Sequence, residues 1–580
     1  MNEASKIPLS LHDFLQRVPI GEGKDGTVDV LDKVTVRSTV LQDFRPLAES
    51  LEWELATLYW RGMGVDAFAQ SEVPFVINND GQASEAAAAT FYTWCREHDG
   101  QLPERLVLLE LGAGTGLFAR FFLDAFENIC RHEKADYYHR LQYLVTDNSP
   151  RTVEQWQERG MFAPHAPQCA LAVCNALQPG TVHLLSGEPL LLQDIQAIFC
   201  NYLLDVLPAA VVRNGESGPE QLTVRTCLLD DSAIVAQYTP LSLQELKAIA
   251  ESDNPEQRRR LLQLLSLLEL ETRFEPLNED SLPFLAQTLA WGNDLERILF
   301  NYGAFAALDA FRTLLGAGGF ILINDYGPTR REDISTHTAL QRFGGSAAQG
   351  INFPLLMHYA ELHALQLLAP PGDDDRAIHT RMLTVRAPEA VREMFENRFS
   401  KDASDHCLIP REQARRHQAA GRRNEALEAY KLALSCDPRN WSLIGEAAEF
   451  IALQLRDFNV GLELARSAIE RNPWYSTWLW NILGDCLYCL QRYADAHEAY
   501  LQAERIDAKD ARTQLNLAYT LFQQGGIEAA LVAIARGLAG DSQGLYRSRL
   551  IEKQEQILMA AASRWLGEQE RLSQRASRFQ

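Results

Sequence analysis

The chain has 580 residues, is 46% hydrophobic with ten tryptophans, and carries a formal net charge of −22. That length exceeds one compact core and predicts two or three domains, and the apolar content excludes a disordered chain. The acidic balance argues against a general nucleic-acid binder, which needs excess Lys and Arg to displace counterions from phosphate.

Residues 1–23 have no sustained apolar core behind a basic start, so no secretory leader is read there. No run reaches the about 20 apolar residues of a membrane helix. Ten cysteines are scattered, and Cys486-x-x-Cys489 is the one close pair. It lies in a helical pattern without a second pair, so both are expected as small buried residues and no metal is expected. The expectation is a cytoplasmic protein with no nucleic-acid or membrane partner.

Residues 1–80 are read as a mixed segment packing on the domain that follows. Val107 to Leu111 is a buried strand containing Glu110, and it runs into Gly112-Ala113-Gly114-Thr115-Gly116. A helix opens at Leu117 and runs to about Phe126. Alternating glycines permit a sharp turn and let backbone N–H groups approach a ligand, while the helix N-terminus adds partial positive charge. The turn suits a nucleotide-like ligand. It is not a dinucleotide fingerprint, whose third glycine would stand three residues after the second, at Leu117. Residues 141–147, 170–176 and 196–201 are further strand-like runs separated by helical ones, which predicts a doubly wound sheet. Residues 241–291 read as a helical insertion in which Arg258-Arg259-Arg260 precedes a leucine-rich run. It is equally a lid over an acceptor site or a homodimer surface. Residues 321–327 form another strand. Residues 363–369 and 379–385 flank Pro370-Pro371-Gly372-Asp373 as a hairpin closing the sheet, and residues 387–400 form a helix leading out.

The string Glu110-x-Gly112-x-Gly114-x-Gly116 resembles the first motif of class I S-adenosylmethionine (SAM)-dependent methyltransferases. The resemblance implies an α/β Rossmann-like class I methyltransferase domain over residues 81–400, with a mostly parallel seven-stranded sheet and SAM as cofactor. It places Glu110, Gly112, Ala113, Gly114, Gly116, Asp147, Asn148, Asn175, Ala176 and Asn201 around that cofactor. Asp147 ends the second strand, where such folds bind ribose hydroxyls, because a carboxylate accepts two hydrogen bonds at once. Asn175 stands where they often contact adenine. The segment Asn201-Tyr202-Leu203-Leu204-Asp205-Val206-Leu207-Pro208 resembles the MidA-like family, which includes the mitochondrial complex I assembly-factor arginine methyltransferase. Asn201, Asp205, Leu207 and Pro208 match its pattern, as does the later Asp325-Tyr326-Gly327, and Gly350 to Phe353 matches loosely. The likeness runs from about Phe68 to Val385. Asn201, Tyr202, Asp205 and Asp325 are the catalytic candidates it implies. Tyr202 replaces the family's Glu, and a guanidinium is held best by paired carboxylates, so arginine is not implied as the acceptor here. Asp205 and Asp325 either orient a nucleophile or cap the helix after their strand.

Residues 404–541 change character. Gly421, Ala426, Tyr430, Ala433 and Pro438 sit at tetratricopeptide (TPR) spacings, and Pro438, Pro473 and Ala508 keep the phase. Leu483-Gly484 with Ala496, Tyr500 and Ala503 is the best copy, and Gly525, Ala530 and Ile534 mark a fourth. Residues 542–580 read as capping helices. Such arrays resemble TPR proteins that bind peptides on the concave face of their first helices. That face would present Trp478, Asn481, Asp485 and Tyr488, then Arg512, Leu515, Tyr519 and Phe522. The leading reading is a SAM-dependent methyltransferase acting on a protein or peptide acceptor recruited by the repeats. Two alternatives stay open: a TPR scaffold that retains a SAM-binding fold, and a methyltransferase acting on a small molecule or peptide metabolite.

Overall fold

The computed structural model describes residues 38–69, 80–229, 232–278, 280–343, 345–401, 406–541 and 544–577. The leader reading of residues 1–23 lies outside the described residues, as do residues 24–37 and 70–79 of the expected N-terminal segment. No helix among the described residues is long and apolar enough to cross a membrane. No group of His, Cys, Asp and Glu among them is arranged to hold a metal ion. The chain forms two compact units, one ending at Asp405 and the other beginning at His406.

The strands of the first unit, in chain order, are β1 (Ser38–Pro46), β2 (Leu106–Leu111), β3 (Leu141–Asp147), β4 (Cys169–Val173), β5 (Thr181–Leu184) and β6 (Pro189–Leu191). They continue with β7 (Ile195–Asn201), β8 (Ala210–Gly215), β9 (Gly218–Leu229), β10 (Leu268–Pro276) and β11 (Ile298–Phe300). Last come β12 (Leu315–Asp325), the short pair β13 (Gln341–Phe343) and β14 (Ser346–Ala348), β15 (Gln366–Leu368) and β16 (His379–Thr384). Nine of them form one sheet in the order β15-β16-β12-β7-β2-β3-β4-β5-β6. The run β12, β7, β2, β3, β4 is parallel, whereas β16 and β5 run against their neighbours. The expected seven-stranded, mostly parallel sheet is thus corrected to a nine-stranded mixed one. The added hairpin β5–β6 turns at Gly187 in the left-handed region and covers the otherwise open edge of β4.

The central strands are apolar on both faces because helices cover both, and every residue of β7 is buried. One face stacks Phe91, Phe118, Phe122 and Phe126 against Tyr143, Phe199 and Phe320. The other packs Leu109, Ile198 and Ile321 against Phe305 and Leu308 of the helix Tyr302–Leu314.

An antiparallel sheet, β1-β9-β8-β11 with β10 also on β9, forms beside it. The insertion over residues 241–291 is therefore not wholly helical. It contains the helices Leu243–Ala250 and Leu285–Trp291, but also β10, which pairs with β9 from Leu268↔Leu228 to Pro276↔Glu220. Leu268 and Leu270 are buried while Glu269 and Glu271 are half-buried, the two-residue period of a strand. The leucine run ahead of it masked that period.

The second unit stacks four helix pairs. These are Leu408–Ala419 with Arg423–Cys436, Trp441–Glu449 with Phe458–Arg471, Thr477–Cys489 with Tyr493–Ile506, and Ala511–Gln523 with Ile527–Gly540. One long helix, Arg547–Ser577, follows. Gly484 has no room for a side chain, because a Cβ there would run into the Tyr500 ring. Cys486 is buried as expected, but Cys489 at the helix end is exposed.

Candidate functional site

Beyond β2, Gly112, Gly114 and Gly116 have φ of +64°, +52° and +71°, a backbone path that side chains resist. A Cβ on Gly112 would lie 2.9 Å from Leu203 Cδ1, and one on Gly116 would lie 3.1 Å from the Trp156 and Phe162 rings. The loop is fastened to β3: Ala113 N–H donates to the Thr146 carbonyl at 2.9 Å, and Gly114 N–H to Asp147 Oδ2 at 3.1 Å. Trp156 Nε1 donates to the Gly114 carbonyl at 3.1 Å, and Ser149 N–H to Asp147 Oδ1 at 2.9 Å. Burial raises the Asp147 carboxyl to about 6, against the pull of these backbone N–H groups. It is still ionised at neutral pH, with acceptor sites left on both oxygens. The helix Leu117–Glu133 begins at Gly116 with no acidic residue in its first turn to offset its partial positive charge, and the Thr115 hydroxyl accepts the Leu117 N–H at 3.2 Å. Asn148 and Asn175 are exposed at the ends of β3 and β4, and Ala176 is buried. Asn175 Oδ1 accepts from Leu177 N–H at 3.0 Å.

Under this loop a chain of side-chain hydrogen bonds crosses five adjacent strands. Tyr143 Oη donates to Glu110 Oε2 at 3.0 Å and Asn201 Nδ2 to Glu110 Oε1 at 3.2 Å. Asn324 Nδ2 donates to Asn201 Oδ1, and Thr380 Oγ1 to Asn324 Oδ1, each at 2.7 Å. Burial raises the Glu110 carboxyl to about 8, even with the Tyr143 and Asn201 hydrogen bonds favouring its charged form. Glu110 and Asn201 are 1% and 4% exposed. Both, expected as cofactor and catalytic contacts, are hydrogen-bonded to each other across the strand ends. Asn324, Tyr143 and Thr380 were missed; the available signal was a polar residue inside an apolar strand run.

Asp205 and Asp325 do come together. After β7 the chain passes Tyr202 at φ +50° and makes a single 3₁₀ turn, Leu204–Val206. Asp325 Oδ2 accepts the N–H groups of Leu204 at 3.1 Å and Asp205 at 3.2 Å, and Oδ1 accepts that of Tyr326 at 3.0 Å. Asp325 therefore caps the turn that follows the neighbouring strand. Burial lifts Asp205 to about 7, opposed by backbone N–H groups and the Tyr326 hydroxyl. Burial, then repulsion from Asp205, pushes Asp325 well above the carboxylate range. The segment from Gly350 to Phe353 walls this corner. Gln349 N–H donates to the Asp205 carbonyl at 2.8 Å, Ile351 N–H to the Tyr326 carbonyl at 2.7 Å, and a Cβ on Gly327 would strike Ile351.

A glycine loop laid on a carboxylate that ends the next strand is where the chain's relatives become informative. Residues 87–378, just over half of the chain, match the model of a family described as "Putative S-adenosyl-L-methionine-dependent methyltransferase". The chain belongs to that family. The cofactor of this methyltransferase family is SAM. No curated protein matches the chain. Among solved structures, it is similar to a "likely methyl transferase" of Burkholderia thailandensis bound to S-adenosyl-homocysteine. That likeness has 13% identity over 60% of this chain and 90% of that chain, at a TM-score of 0.38. An uncharacterized superfamily protein of the same organism gives 14% identity, 60% and 90% coverage, and a TM-score of 0.37. A thermophilic TPR protein of Thermus thermophilus is similar over 27% of this chain and 90% of that chain, with 19% identity and a TM-score of 0.23. The family match decides the assignment; likenesses this weak add nothing to it. The loop also fits SAM on its own terms, offering the positive end of a helix with no acid in its first turn to a carboxylate and the ionised Asp147 to a diol.

In the helical unit the expected peptide contacts separate into two groups. Asn481 is fully buried and donates to Thr513 Oγ1 at 2.8 Å, while its own Oδ1 accepts from Asn516. Arg512 bridges Glu449 and Asp485, at 2.9 Å to each. Asn481 and Arg512, both expected peptide contacts, are thus bonded to side chains 27 to 63 residues away in the chain. Trp478 is half-buried, donating from Nε1 to Glu449 at 2.9 Å. Tyr488 and Tyr519 are half-buried neighbours, with ring centres 6.1 Å apart.

Proposed function

We propose that the chain is a cytoplasmic methyltransferase that passes the methyl group of SAM to a protein or peptide acceptor held by its repeats. The Gly114 N–H donated to Asp147 carries the cofactor side of this reading, because it ties the glycine loop to the acid we assign to the ribose. In this reading Gly112, Ala113, Gly114 and Gly116 line the cofactor with backbone, Asp147 accepts the ribose hydroxyls, and Asn148, Asn175 and Ala176 border the base. SAM, when bound, supplies an electrophilic methyl on a sulfonium. The protein's own share is to place a nucleophile in line with it, which needs position more than covalent chemistry. Asp205 accepts the acceptor's proton or hydrogen bond, and Asp325 and Tyr326 hold Asp205. Tyr202 borders the acceptor where relatives carry a carboxylate, so a single acid faces the incoming group.

The half-buried aromatics Trp478, Tyr488 and Tyr519 support a peptide groove, since such rings anchor interfaces at little entropic cost. A second reading, a scaffold that binds SAM without transfer, draws on Tyr202 and on the 4% exposure of Asp205. Incubating the chain with methyl-labelled SAM and a lysate of the source cell separates the readings. A labelled protein band is expected. A labelled small molecule would move the acceptor to a metabolite. SAM binding by calorimetry with no label anywhere would leave the scaffold.

A further inference from the structure

The C-terminal helix Arg547–Ser577 packs on the last repeat through Leu550, Lys553 and Ile557, one residue per turn of a single face. Leu550 and Ile557 are fully buried and Lys553 is 4% exposed. Beyond Ile557 the helix buries none of its described side chains, and Leu558, Met559, Trp565 and Leu566 are exposed. About three turns therefore hold a helix of 31 residues.

The lysine is the anomaly on that face. No ion pair or hydrogen bond holds Lys553 among the described residues, and its ammonium nitrogen is not fully cut off from water. Its ammonium lies instead 4.1 Å from the Tyr519 ring centre and 4.7 Å from that of Phe522. Burial pulls its pKa below the usual lysine range. Leu550 and Ile557, on either side, show that plain apolar residues serve to dock this helix. What two aromatic faces add is attraction for a cation. Both rings sit on the first helix of the fourth repeat, beside Tyr488 of the repeat before.

We propose that Tyr519 and Phe522 form a binding site for a lysine or arginine side chain of a peptide partner, and that Lys553 of the chain's own C-terminal helix fills it until such a partner displaces that helix. The partner's being a methyl acceptor rests on the recruitment reading above, whereas the site itself is tested without methyl transfer. The helix would then gate the aromatic end of the groove, with Lys553 as an internal stand-in for the partner's cation.

The probe is a fluorescein-labelled peptide with the sequence of residues 547–557, read by polarisation against the full chain. The native chain should not bind it, because the site is filled. A Leu550→Asp, Ile557→Asp chain, its helix released, should bind it. Replacing the peptide's lysine by methionine should weaken that binding about tenfold or more, and arginine should preserve it. Equal binding of the methionine peptide would overturn the proposal, as would no binding by the released chain when its circular dichroism matches the native one. Should the double variant unfold, Lys553→Met in the native chain gives a second reading by hydrogen exchange. Amides of residues 547–557 should open about tenfold more often, and unchanged protection would overturn it.

Discussion

The two units treat buried carboxylates in opposite ways. In the repeats, burial alone would raise Glu446, but Arg411 and Arg415 outweigh it and hold the carboxyl at about 2. Glu449 and Asp485 are both paired with Arg512. At the strand ends of the sheet, Glu110, Asp147, Asp205 and Asp325 all lie above the carboxylate range, and no arginine or lysine among the described residues offsets them. The difference belongs to the site and not to the unit, since Glu52 in the same unit is paired with Arg342. A fold that can pair its buried acids leaves these four without a cation at the strand ends, so that at neutral pH Asp147 stays charged while burial keeps Glu110 mostly protonated. In the repeats the paired acid holds neighbouring helices together and does no chemistry.

That contrast is most exposed at the glycine loop. Gly114→Val puts a β-branched residue at φ +52° and disturbs the N–H that Asp147 accepts. SAM binding by calorimetry should vanish while the thermal transition of the repeats is unchanged; normal affinity would remove the loop from the site. Next in size, Asp205→Asn should lower turnover about a hundredfold to ten-thousandfold with SAM binding nearly intact. Since burial lifts Asp205 to about 7 and it acts ionised, native turnover should rise with pH through about 7 and level only well above it, and the variant should lose that rise. Proportional loss of SAM affinity would make Asp205 structural.

In the repeats the paired acid should matter to stability alone. Glu446→Gln leaves the buried Arg411 and the half-buried Arg415 without their charged partner and should cost about 3 kcal/mol in denaturant unfolding, with no effect on SAM affinity. The pH dependences should run in opposite senses. Glu110 rises from 4.5 to about 8 on folding, so its stabilising contribution is complete below pH 4.5 and lost as pH climbs through 8. Glu446 falls from 4.5 to about 2, so its contribution is present above pH 4.5 and lost as pH drops through 2. Between pH 5 and 8.5 the native chain should lose on the order of 3 kcal/mol relative to Glu110→Gln, measured by urea unfolding at each pH. Parallel curves would mean that Glu110 stays charged. The smallest effect is expected at Tyr202. Asn tolerates φ +50° better than an aromatic residue, so Tyr202→Asn should stabilise the unit by about 1 kcal/mol or less. If the ring borders the acceptor, turnover should fall although stability rises.

Some of this was readable from local pattern. The strand expected at residues 141–147 is observed as Leu141–Asp147, and the glycine turn needed only its own spacing. The repeats are equally legible because their contacts recur about one repeat apart, as in Arg411 with Glu446 and Asn516 with Asn481, so each copy restates the last. Other features were out of reach. Strand β10 is defined by pairing with β9 some forty residues earlier, and no local period announces a partner. The bond between Asn201 and Asn324 spans 123 residues, and the one from Asn201 to Glu110 spans 91. Whether Glu110 meets a cofactor or braces the sheet, and whether Asp325 caps a turn or faces an acceptor, depends on those partners. The carboxyl groups themselves are the same in sequence wherever they fall. What sets Glu110 near 8 and Glu446 near 2 is how much water each loses and which charges the fold brings beside it.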